Sequence, residues 1–165
     1  MLRGLQLFQQ HFLDLTDHYI LIGGTACTLL MEDVGLQFRA TQDLDVVLCI
    51  EALHMDFVMR FWEFIKQGGY EIKQKANGKK CFYRFSRPVD ARYPVMIELF
   101  SRRPDILENG VSERITAISV EEQVVSLSAI LLDDDYYAFI LDERVTISGL
   151  QVVSAACVIT LKARA

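Results

Sequence analysis

Thr41-Gln42-Asp43-Leu44-Asp45-Val46-Val47-Leu48-Cys49-Ile50 sets two acids at the entrance to an apolar run. From Leu44 to Ile50 the run is dense in Val, Leu and Ile, which predicts a buried strand. In a strand, residues two apart point to the same side, so Asp43 and Asp45 face one space. Two unpaired carboxylates that close repel each other and desolvate badly unless a cation lies between them. Hard divalent ions such as Mg²⁺ are bound by such carboxylates together with substrate phosphates. A third acid, Glu98, lies inside Pro94-Val95-Met96-Ile97-Glu98-Leu99-Phe100, where a lone carboxylate would be expensive to bury. If the strand at 44–50 pairs with the strand at 95–100, Glu98 stands beside the Asp pair. The three carboxylates then form a site for two metal ions. The simpler alternatives are a chance D-x-D of loop acids and a Glu98 salt-bridged to a nearby arginine.

Upstream, Tyr19-Ile20-Leu21-Ile22 is a short apolar run ended by Gly23-Gly24, which reads as a buried strand turning sharply. Thr25 is placed to cap a helix through Met31. Between a strand and a helix, Gly23, Gly24 and Thr25 offer backbone N–H groups and a hydroxyl to a phosphate. A tight turn alone would also call for the glycines.

Elsewhere, Leu5, Phe8, Phe12 and Leu13 recur at helical spacing, as do Phe57, Val58, Phe61, Trp62 and Ile65 before a Gly68-Gly69 stop. Residues 70–75 and 80–86 flank Asn77-Gly78, a strong hairpin signal. Ser119-Val120-Glu121-Glu122 forms a capping box that opens a helix to about Leu132. Short strands are expected at 137–141 and 150–153, then a last helix capped by Ser154. The order implies a mixed sheet with flanking helices, an α/β or α+β fold.

The chain has 165 residues, of which 52% are hydrophobic and 24% charged, suited to one domain over residues 1–165 and excluding a disordered or collagen-like chain. No stretch approaches the roughly 18–20 uninterrupted apolar residues of a membrane span, and no signal-peptide core opens the chain. The 4 cysteines are scattered among apolar neighbours. Buried free thiols in a cytoplasmic protein are expected, and 3 dispersed histidines do not suggest zinc. Net charge is −5, yet between Lys73 and Arg103 nine lysines and arginines face two acids, Asp90 and Glu98. A local basic segment on an acidic chain suits a phosphate-bearing ligand better than long duplex, while a solvated hairpin is the plainer alternative.

Ile22-Gly23-Gly24-Thr25-Ala26, then Arg39-x-Thr41-x-Asp43-Leu44-Asp45-Val46-Val47-Leu48, then Ile97-Glu98-Leu99, resembles the nucleotidyltransferase superfamily with its DNA-polymerase-β-like fold. The wording is closest to the AbiEii-type branch, the toxin halves of abortive-infection and toxin–antitoxin systems. The resemblance covers residues 19–50, 94–100 and 150–165. It implies a Mg²⁺-dependent enzyme that moves a nucleoside monophosphate from an NTP to a hydroxyl of RNA or tRNA, a protein or a small molecule. Asp43, Asp45 and Glu98 would be the catalytic residues and hold two Mg²⁺ ions. Gly23, Gly24 and Thr25 would cradle the triphosphate, and Arg39 or Lys162 would neutralise its charge. Arg39 paired with a nearby acid and Lys162 as a solvated helix-end residue are the alternatives. The third acid departs from the commoner Asp of the family. The chain also ends in mid-helix at Lys162-Ala163-Arg164-Ala165, which suggests a truncated C-terminal helical region. Two other classes remain open: an inactive nucleotide-binding domain, and an interaction module held by an antitoxin protein.

Overall fold

A computed structural model describes residues 2–39, 41–49, 54–74, 82–100 and 133–164. In chain order these form α1 (Leu5–His11), a 3-10 turn (Thr16–His18), β1 (Tyr19–Leu21), α2 (Gly23–Asp33), β2 (Asp43–Leu48) and α3 (Met55–Gly68). Next come β3 (Glu71–Gln74), β4 (Phe82–Ser86), β5 (Met96–Phe100), α4 (Asp134–Asp142), β6 (Arg144–Ile147), β7 (Leu150–Val153) and α5 (Ala155–Arg164). The strands make one seven-stranded sheet in the order β3-β4-β5-β2-β1-β7-β6. It is mixed: β2 runs parallel to β5 and β1 parallel to β7, whereas β1–β2, β3–β4, β4–β5 and β6–β7 are antiparallel. This is an α/β fold.

Strand alternation divides the sheet into two faces. Tyr19 lies opposite Leu48, and Phe85 opposite Ile97, which itself lies opposite Leu44. That face meets α1 and α3 through rings: Phe8 packs edge-on to Tyr19 and Phe64, and Phe61 edge-on to Phe85. Phe8, Phe12, Phe57, Phe61 and Phe64 are wholly buried. Each such ring removes about 150–250 Å² from water, so this aromatic layer dominates the core. The price is a pair of orphaned polar atoms, since His18 Nε2 and the Tyr19 hydroxyl are buried there without a hydrogen-bond partner among the described residues. Asp43, Asp45, Val47, Glu98 and Arg84 lie on the opposite face by the same alternation. There α2 covers β2, and α5 packs against α2.

Several local signals operate as their chemistry dictates. Gly69 sits in the left-handed region at φ 63° and closes α3 with N–H donation to Ile65 and Lys66 carbonyls. Ser154 opens α5, its Oγ accepting from the Cys157 N–H at 3.3 Å. Cys27, Cys49 and Cys157 are buried and form no disulfide among the described residues.

Three expectations are corrected. Residues 137–141 are not a strand but part of α4. The Asp133 carboxylate accepts from the N–H groups of Asp135 and Tyr136, and Tyr137 and Ile140, three apart, turn inward. Thr25 does not cap α2, which begins two residues earlier, leaving Thr25 in its first turn. Strand β6 was not expected; it pairs with β7 across Ser148-Gly149, whose φ values of 51° and 78° suit a two-residue hairpin turn. The Asn77-Gly78 turn and the helix expected at 119–132 lie outside the described residues. Among the described residues no helix is long and apolar enough to cross a membrane.

Candidate functional site

The parallel pairing of β2 with β5 sets Asp45 directly opposite Glu98. On the other side of β5, Arg84 of β4 lies opposite the same Glu98. One row across three strands therefore reads Asp45, Glu98, Arg84, with Asp43 two residues along on the same face. The Asp45 and Glu98 carboxyls share a hydrogen bond. Arg84 binds Glu98 Oε1 twice, through Nη2 at 2.7 Å and Nε at 2.9 Å. Glu98 is 8% exposed, so its charge is largely removed from water.

The electrostatics follow from that crowding. Burial, then the charges of Glu98 and Asp43, push the Asp45 carboxyl well above the ordinary carboxylate range, while the Gly24 N–H pulls it back. Burial also raises Asp43, against the opposing pull of the Arg84 guanidinium. Arg84 thus offsets the charge of its partner Glu98.

The N-terminus of α2 overhangs the row. Gly23 is in the left-handed region at φ 62°, and a Cβ there would run into Asp45 Oδ2. Only glycine lets the backbone come so close to the carboxylate. A Cβ on Gly24 would meet Thr41 Oγ1 at 2.8 Å. The Gly24 N–H donates to the Asp45 carboxylate, and the Ile22 N–H donates to the Asp45 carbonyl at 3.0 Å. Thr25 is fully buried, and its Oγ1 donates to the Asp43 carbonyl at 2.9 Å. These bonds clamp α2 onto the acid-bearing end of β2.

The structure therefore brings together Asp43, Asp45, Glu98, Gly23, Gly24 and Thr25. It also engages the Gly24 N–H and the Thr25 hydroxyl within the protein, where a phosphate cradle was expected. Arg39 is exposed in the segment between α2 and β2 and makes no ion pair among the described residues. Lys162 falls in α5. The salt bridge from Glu98 to a nearby arginine, the simpler alternative for that acid, is present, and the arginine is Arg84. Which of the nearby arginines it is becomes visible only once the register of β4 and β5 is known.

Among the described residues no three His, Cys, Asp or Glu side chains close into a cage ready for a metal ion. The chemistry of the donor set nevertheless suits a hard divalent ion: carboxylate oxygens only, with negative charge in excess of the one guanidinium bound to Glu98. No protein-family model matches the chain, and no curated protein matches it.

Proposed function

We propose that this chain is a Mg²⁺-dependent nucleotidyltransferase domain acting on an NTP and a hydroxyl acceptor. The observation that carries it is the Asp45–Glu98 juxtaposition across β2 and β5, with Asp43 on the same face and the glycine turn of α2 above it. The resemblance of Gly23-Gly24-Thr25, Asp43-x-Asp45 and Glu98 to the superfamily motifs supports the same assignment.

Asp43, Asp45 and Glu98 would hold the divalent ions. Bound there, such ions supply charge neutralisation for in-line displacement at phosphorus. The acceptor hydroxyl would give its proton to solvent as its oxygen bonds to the α-phosphorus. The bond from that phosphorus to the oxygen bridging the β-phosphate would break, and pyrophosphate would leave. The protein's part is to fix the carboxylates: Thr25 holds the Asp43 backbone, and Gly24 orients the Asp45 carboxylate. Gly23 keeps side-chain bulk away from the space beside them. The exposed Arg39, near the motif, would meet triphosphate charge, with Lys162 as a second candidate. RNA is the acceptor class to test first, because lysines and arginines concentrate between Lys73 and Arg103.

A second reading, nucleotide binding without turnover, draws on the engagement of Glu98 by Arg84 and of the Thr25 hydroxyl by Asp43. Calorimetric titration with ATP, CTP, GTP and UTP, with and without Mg²⁺, tests the site in the parent and in Asp43→Ala/Asp45→Ala. Mg²⁺-dependent binding lost in the double variant is expected; binding indifferent to both would refute a carboxylate-metal site. Transfer of labelled nucleotide to RNA then separates the enzyme from the binding module.

A further inference from the structure

We propose that Arg84 is a resident counter-cation that competes with the divalent ion for Glu98, so that ion binding requires the guanidinium to leave. This rests on the metal-site reading above and adds a means of regulation to it. The guanidinium meets one oxygen of Glu98 through two nitrogens, at 2.7 and 2.9 Å. The pair is largely desolvated, with side-chain exposures of 20% for Arg84 and 10% for Glu98. The same guanidinium also acts on Asp43, so its charge reaches a second carboxylate of the row. A divalent ion on the shared carboxylates and a guanidinium on Glu98 would repel each other at short range, with little water to screen them.

Removing the cation should therefore strengthen ion binding, whereas a side chain that merely supports the fold would weaken it when lost. A substrate triphosphate also has a place in this exchange. Phosphate oxygens accept paired N–H donors from arginine as carboxylates do, so the departing guanidinium would find a partner on the incoming substrate. Ion and triphosphate would then bind cooperatively, each lowering the cost of the other.

Mn²⁺ titration followed by electron paramagnetic resonance tests this in the parent chain, Arg84→Gln, Arg84→Lys and Asp43→Asn/Asp45→Asn. Arg84→Gln is expected to bind Mn²⁺ about tenfold more tightly than the parent, by loss of like-charge repulsion. Arg84→Lys, which keeps the charge, should stay near the parent value. Parent binding that is unchanged or weakened in Arg84→Gln overturns the competition while leaving the metal site standing. No binding in the parent or in either Arg84 variant overturns both. Should Arg84→Gln fail to fold, the parent still decides the matter. The Arg84 Nε–H resonance, assigned with Arg84→Lys, should lose exchange protection as Mg²⁺ saturates the site. A resonance unmoved at saturation refutes the proposal.

Discussion

Gly23 shows how closely backbone and side chain are matched at the site. An added methyl would meet Asp45 Oδ2 and would also need a left-handed backbone. Gly23→Ala is expected to cost about 1–2 kcal/mol for the backbone alone, plus the contact with Asp45. In an Asp45→Ala background the loss should fall toward the backbone part, which a double-mutant cycle in urea would measure. Asp45 itself is held against its own charge. Its carboxyl is raised by burial, Glu98 and Asp43, so the folded chain binds a proton there more tightly than the unfolded chain does. Without a divalent ion, stability from this group is therefore full below about pH 4 and is lost as pH rises toward the folded value. Asp45→Asn keeps an acceptor for the Gly24 N–H and gains a donor for Glu98. It should raise stability at pH 7 by about 1 kcal/mol or more. The gain should shrink toward pH 4, as urea midpoints at the two pH values would show.

Among the elements, β2 and β5 were legible because their cue is local: a dense apolar run with acids at a spacing of two. Their pairing followed as a condition, and the register meets it by setting Asp45 against Glu98. The choice of Arg84 as the partner of Glu98 depends on which strand lies beside which, and no local pattern carries that. Helix α4 was misread because Tyr136-Tyr137-Ala138-Phe139-Ile140 is rich in strand-favouring side chains. Tertiary burial of Tyr137 and Ile140, with the cap from Asp133, overrides that preference. Asp133→Ala removes the cap and is expected to cost about 1 kcal/mol, read as a lower urea midpoint. Strand β6 was missed because Arg144, Val145 and Thr146 are all exposed, with only Ile147 turned inward. The available signal was Ser148-Gly149 between two short β-like runs.

For the whole molecule, the acid row lies on strands from the middle of the sheet, so any ligand it binds is coupled to global stability. Mg²⁺ at about 100 times its dissociation constant should stabilise the parent by about 2.7 kcal/mol. It should leave Asp43→Asn/Asp45→Asn unchanged, and thermal unfolding with and without the ion checks both. The acid row and the aromatic layer separate the tasks of the two faces: rings hold the fold on one side, and Asp43, Asp45, Glu98 and Arg84 crowd the other. The sheet order carries a consequence for synthesis as well. β1 finds its first neighbour, β2, within the first 48 residues, but its second, β7, sits at residues 150–153 and pairs through Leu21 and Val152. A ribosome must therefore add about a hundred more residues while one edge of β1 waits unpaired. An open apolar strand edge is a template for any extended chain nearby, which makes the nascent domain most exposed to mispairing late in translation.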